Sequence, residues 1–147
     1  MKIAGELSVR APRAAVFDAL KDARFFASCV DGVQALTEID ATHYAAIFQT
    51  KIAYMTFKFN VTVEMTKAEP PDLIEGKVEG RPMGLVGRLT ATATTRLTEV
   101  GDETRIQYEI DSALTGKLGS MGQPVLKAKA KELEKVFASR LKARFES

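Results

Sequence analysis

The chain has 147 residues, 46% of them hydrophobic and 27% charged, with a net charge of +2. That length fits one domain, residues 1–147, burying roughly two thirds of its unfolded surface, and the composition excludes disordered, fibrous and membrane-spanning classes. So small a charge gives no case for nucleic acid, and the lone Cys29 cannot close an internal disulfide.

Residues Lys2 to Val9 alternate, with Ile3, Gly5, Leu7 and Val9 on one face, which predicts a first strand. Ala11-Pro12 breaks it. Proline at a helix start loses no useful hydrogen bond, and Val16, Phe17 and Leu20 recur at helical spacing, so Arg13 to Lys21 is expected to be a short helix with one buried face. A second short helix or turn runs through Asp22 to Phe26 and ends near Cys29-Val30-Asp31-Gly32, where Asp-Gly is a turn signal.

From Val33 to Thr115 the period is two, with turns expected at Asp40-Ala41-Thr42, Pro70-Pro71-Asp72, Gly80-Arg81-Pro82 and Gly101-Asp102. Six strands follow, joined mainly by hairpins. In the clearest, Phe57, Phe59, Val61, Val63 and Met65 alternate with Lys58, Asn60, Thr62 and Glu64, one face dry and the other wet. Two later strands repeat the pattern with Leu89, Ala91, Ala93 and Leu97, then Ile106, Tyr108 and Ile110, on the apolar side. The small side chains of Ala91 and Ala93 leave space above the sheet, to be filled by a helix or left as a pocket.

The last segment, from Gln123 or Pro124 to about Phe145, is predicted as one long helix with Leu126, Ala130, Leu133, Phe137 and Leu141 as its apolar stripe. Burial of its large side chains at about 1.5 to 3 kcal/mol each is expected to dock it on the dry face. Strand, two helices, six strands and helix then give an α+β fold, a seven-stranded antiparallel sheet wrapped around the C-terminal helix. Between Lys127 and Arg144 seven basic residues face only Glu132 and Glu134, a local charge of +5 that leaves the remainder at −3.

With no basic-then-apolar leader in view, the expected compartment is the reducing cytoplasm. No run approaches the roughly 20 apolar residues that span a bilayer, so the membrane contact to expect is peripheral, at the inner face of the cell membrane.

The run Gly5-Glu6, Ala11-Pro12, Val16-Phe17, Leu20, Asp22 and Cys29-Val30-Asp31-Gly32 is followed by Gly84 and Gly87, then by Thr104, Tyr108-Glu109 and Gly116-Lys117-Leu118 to Gly122. Together these resemble the CoxG family of carbon monoxide dehydrogenase subunits, within the START-like (SRPBCC) polyketide cyclase and lipid-transport superfamily. The resemblance covers nearly the whole chain and implies the helix-grip fold. It also implies a non-enzymatic accessory protein of a carbon monoxide dehydrogenase-type molybdenum oxidoreductase, one that brings the enzyme to the membrane or carries quinone between the two. The departures are Asp31 where the family commonly has Pro, Phe17 where it has Trp, and Ala53-Tyr54 where it has a Gly-Pro hairpin.

No cofactor or metal is expected. His43 is the only histidine, so neither a two-imidazole metal site nor a Ser-His-Asp or Cys-His pair can be built in one chain. Cys29 has no neighbouring base in sequence to activate it. Carboxylates fall on wet strand faces, with none expected inside a cavity.

The candidates for an apolar ligand cavity are Phe26, Cys29 and Val30 from the helical segment, with Phe57, Phe59, Ala91, Ala93 and Tyr108 from the sheet. Met83 and Leu85, in a Gly-rich hairpin that can act as a flap, and Met121, Leu126, Leu133 and Phe137, around the last helix, complete the set. Most of these are expected to be plain core. Tyr54 and Met55 at another hairpin tip, with Lys127, Lys131 and Lys135 on the helix, are the expected membrane or partner surface. Two functions follow: a carrier holding a quinone or lipid between sheet and helix, or an adaptor that recruits or matures the oxidoreductase through its surface without carrying a ligand.

Overall fold

The computed structural model describes residues 1–146. Seven strands, β1 (Lys2–Val9), β2 (Val33–Glu38), β3 (His43–Ile52), β4 (Met55–Glu69), β5 (Leu73–Pro82), β6 (Gly87–Val100) and β7 (Glu103–Gly116), form one antiparallel sheet in the order β1-β7-β6-β5-β4-β3-β2. Helices α1 (Arg13–Lys21) and α2 (Ala23–Cys29) lie between β1 and β2, and a 3-10 turn (Gly119–Met121) leads from β7 into α3 (Gln123–Phe145). This is the expected α+β helix-grip arrangement. Strands β2 to β7 form a meander, while β1 returns to pair with β7, Ile3 opposite Ile110 and Leu7 opposite Ile106.

Local chemistry sets the ends of these elements. Asp22 closes α1 and caps α2, its carboxylate accepting from the Arg24 and Phe25 amides at 3.0 and 3.2 Å. The buried Thr104 hydroxyl donates to the Ala11 carbonyl at 2.8 Å, fixing the chain where β1 gives way to Pro12 and α1. One turn differs from expectation. Gly80 to Pro82 continue β5, with Gly80 opposite Val61 and Pro82 opposite Phe59, and the chain reverses at Met83 to Val86 instead. Proline is tolerated there because it ends the strand, and the ladder resumes with the Met83 amide donating to the Lys58 carbonyl.

Residues directly opposite in an antiparallel pair share a face, so register defines the inner surface. Gly5 and Thr95 flank Tyr108, Gly76 and Ile110 flank Ala93, Val63 and Ala91 flank Val78, and Ala46 faces Val61.

Two dry clusters occupy opposite ends of this surface. The first joins Val9, Ala11, Val16, Phe17, Leu20, Leu97 and Ile106 to Leu141 of α3. Phe17 is fully buried here. The second joins Ile52, Phe57 and Phe59 to Leu118, with Phe48, Leu85, Leu114 and Met121 packed against it.

Between the clusters α3 does not dock as the apolar stripe suggests. Of its 23 residues only Leu141 is buried, and Leu126, Ala130, Leu133 and Phe137 are half-buried. Its close backbone approaches are to β1, α2 and β3. The helix packs through its C-terminal half, where Phe137, Leu141 and Phe145 meet the first cluster. Accessible surface agrees: a compact monomer of 16.1 kDa exposes about 7,400 Å², and this chain exposes 8637 Å².

Candidate ligand-binding site

The band of inner sheet between the clusters is the candidate site. Along β6 it runs from Leu97 to Leu89, eight residue steps or about 26 Å. Ala91, Ala93, Gly76, Val78, Val61, Val63, Ala46, Tyr108 and Ile110 are all half-buried, although they continue the faces that carry the dry clusters. Their small size explains this. The Gly, Ala and Val side chains across four neighbouring strands are short, and Leu126, Ala130 and Leu133 on α3 are likewise half-buried, not buried.

The sequence candidates divide between this band and its walls. Ala91, Ala93, Tyr108, Leu126 and Leu133 border the band, whereas Phe57 and Phe59 belong to the second cluster, stacked with centroids 6.1 Å apart. Leu85 and Met121 pack against that same cluster. Phe137 joins the band to the first cluster and packs its ring on Phe26, centroids 5.0 Å apart, with Phe26 itself 44% exposed on α2. Cys29 is fully buried and Val30 half-buried where α2 ends. Burial pushes the Cys29 thiol up, outweighing Ser28 and the positive Arg140 and Arg144, so it is a poor nucleophile.

Sequence reasoning missed the carboxylate at this site. Glu134, one residue after Leu133, is half-buried on α3 and faces Tyr108. The Tyr108 side chain folds back over its cross-strand partner: a Cβ at Gly5 would overlap both its hydroxyl and its ring. That hydroxyl is buried and turned toward the Glu134 carboxylate without a well-formed hydrogen bond to it. Burial first, then the neighbouring Glu134 carboxylate, push the phenol well above its usual range, so it stays a neutral O–H donor at any working pH. A buried O–H donor without a well-formed hydrogen bond costs free energy that a suitable acceptor would recover.

At the end of the sheet beyond the second cluster, two hairpin tips and the start of α3 come together. The β3–β4 tip carries Tyr54, 96% exposed, and Met55. Alongside, the β5–β6 tip carries Met83 and Val86, the latter 88% exposed, and its Val86 carbonyl accepts from the Lys117 amide just ahead of the 3-10 turn. Val125 is also exposed on the first turn of α3, and Lys127, Lys131 and Lys135 follow, all exposed. An apolar tip bordered by lysines is thus set at one end of the half-open band.

Other polar features lie elsewhere. Two surface depressions, of about 320 and 470 Å³, are lined largely by outer-face residues such as Lys77, Glu79, Thr92 and Asp111, or Glu6, Arg96, Gln107 and Glu109. His43 sits exposed at the β2–β3 turn with Nδ1 2.8 Å from Asp40 Oδ1. The Asp40 carboxyl is held down at about 2 by the Thr42 amide and then by His43, and the Asp40 hydrogen bond in turn raises His43. Among the described residues no group of three His, Cys, Asp or Glu side chains could hold a metal ion, and no helix is long and apolar enough to cross a membrane.

A family model for the CoxG subunit of carbon monoxide dehydrogenase matches residues 5–145. The chain belongs to the CoxG family. Among solved structures, this CoxG-family chain is similar to a conserved protein from Geobacillus kaustophilus, with 25% identity, a TM-score of 0.90 and coverage of 99% of this chain and 95% of that one. It is also similar in fold to a START superfamily protein from Mycobacterium smegmatis, with 14% identity, a TM-score of 0.72 and coverage of 99% and 97%. No curated protein matches it. The residues that carry the CoxG resemblance recur as structural joints: Thr104 bonded to Ala11, Gly5 beneath Tyr108, Asp22 capping α2 and Leu118 fully buried.

Proposed function

We propose that this protein is a non-enzymatic accessory protein of a carbon monoxide dehydrogenase-type molybdenum oxidoreductase, binding an apolar ligand, a quinone or a lipid, between sheet and α3 and shuttling it to or from the membrane. Membership of the CoxG family supports the association with the oxidoreductase, and the START-like fold supports an apolar ligand. The single observation that carries the reading is the half-open band: small apolar side chains between two dry clusters, beneath a helix of which only Leu141 is buried. An apolar ligand laid there removes sheet and helix surface from water together, at roughly 25 cal/mol for each Å² covered. Association and ordering costs subtract from that gain.

The exposed tip supplies the membrane contact. Tyr54, Met55, Met83 and Val86 are apolar side chains of a size to enter the headgroup region, and lysines near an anionic surface add about 1 kcal/mol each, a reversible attachment suited to a carrier. The Tyr108 phenol is kept neutral and Cys29 is buried with its thiol pushed up, so neither is an activated nucleophile, which supports a binding role.

Filling the band tests the reading. Ala93→Phe places a large ring against Gly76 and Ile110 and is expected to abolish uptake of a long-chain quinone, measured by native mass spectrometry after incubation with quinone-loaded vesicles, while circular dichroism stays unchanged. Undiminished uptake by the folded variant would overturn the band as the binding site.

A further inference from the structure

The half-open band is largely apolar, with Thr95 and Ser112 as its sheet hydroxyls, and at one place β7 and α3 bring a phenol and a carboxylate together. Tyr108 supplies a donor buried from water, which meets Glu134 without forming a well-made hydrogen bond. Glu134 supplies an acceptor on the facing helix, and being only half-buried on a side chain with three torsions, it can swing aside to admit a group between them. Gly5 is what allows the phenol to lie there, since any Cβ at that position would occupy the space of its hydroxyl.

From this juxtaposition we infer that the band is selective for amphiphiles whose polar end is a hydroxyl, with Tyr108 donating to the ligand oxygen and Glu134 accepting the ligand's own O–H. The inference rests on the reading of the band as an apolar ligand site and specifies its polar end. A hydroxyl is both acceptor and donor and satisfies the two protein groups at once. A carbonyl or ether oxygen accepts from Tyr108 but leaves the carboxylate facing a lone pair, which is repulsive and leaves a half-buried charge without a partner. Charge-assisted hydrogen bonds of this kind are roughly twice as strong as neutral ones, so the discrimination is set chiefly by Glu134 and the anchoring chiefly by Tyr108. Within a quinone couple, the reduced, hydroxyl-bearing form is therefore the one held more tightly.

The test uses two probes with one apolar body, 4-hexylphenol and its methyl ether, titrated into the intact protein by isothermal calorimetry. The phenol is expected to bind tenfold or more tightly than the ether, the ratio that a charge-assisted bond sustains. Glu134→Met, which keeps the bulk and removes the acceptor, should bring the two probes within about threefold of each other. Tyr108→Phe should weaken both by a similar factor with little loss of thermal stability, because the contact it removes with Glu134 is not a well-formed hydrogen bond. Equal affinity of the two probes for the native protein, or a preference that survives Glu134→Met, overturns the inference while leaving the apolar site standing. Failure of both probes to bind overturns the site and the inference together.

Discussion

The first dry cluster and the band beside it are built from the same strands and the same helix, yet one is closed and the other half-open. Along β7 the inner face passes from Ile106, 3% exposed, to Tyr108 and Ile110, half-buried, and along α3 it passes from Leu141, fully buried, to Leu133. Hydrophobicity does not separate the two regions; side-chain reach does. Under α1 the chain provides Phe17, Leu20 and Leu97, which meet Leu141, whereas across the band it provides Gly76, Ala91 and Ala93 opposite α3. Closure is a local property here, and it changes along the same elements.

The largest expected effect that would break this comparison is in stability. Leu141→Ala should cost about 2 to 5 kcal/mol, as for a fully buried leucine in a closed core, while Leu133→Ala, two turns earlier on the same helix, should cost less than half as much. Urea unfolding of the two variants decides it, and equal losses would mean that the band is as dry as the cluster. Next in size is Gly5→Ala, which forces the Tyr108 ring aside and should cost about 1 to 3 kcal/mol. Combining it with Tyr108→Leu should recover part of that loss, and a double-mutant cycle with no coupling would remove the Gly5–Tyr108 contact from the account.

The smallest effect belongs to the surface, far from both regions. His43, raised by Asp40, favours the folded state below its unfolded value of 6.5, and that contribution is lost as pH rises through its raised folded value. Asp40, lowered from 3.8 to about 2, contributes above its unfolded value and loses the contribution as pH falls toward 2. NMR titration should place the His43 pKa above 6.5, and Asp40→Asn should bring it down, with no change in ligand uptake.

Much of the fold was legible in the sequence because its signals are local. The alternation from Phe57 to Met65, the Pro12 helix start and the α3 stripe each depend on neighbours a few residues away. The site was legible only in part. Ala91 and Ala93 marked one strand of the band, but their company with Gly76, Val78 and Gly5 follows from register between strands, which alternation does not specify. Phe57 and Tyr108 show the same alternation, and only the opposite end of the grip decides that one is core and the other borders the band. Glu134 read as a counter-charge on a basic helix because its inward turn depends on how α3 rolls against the sheet. The turn expected at Gly80 to Pro82 moved to Met83 because Pro82 can end an ordered strand as well as begin a reversal.

The pairing of β1 with β7 imposes an order on biosynthesis. Ile3 leaves the ribosome early but its partner Ile110 follows only after several to about twenty seconds of elongation, during which β2 to β6 can zip together as successive hairpins of low sequence separation. The strand translated first is therefore the one placed last in the sheet, and α3 arrives after even that. Pulse-labelling hydrogen exchange during refolding should find the β3–β4 amides protected before those of β1. Until β1 arrives, β7 offers a bare edge to any other chain, so the same long-range closure that completes the grip also defines the interval in which a nascent copy is open to aggregation.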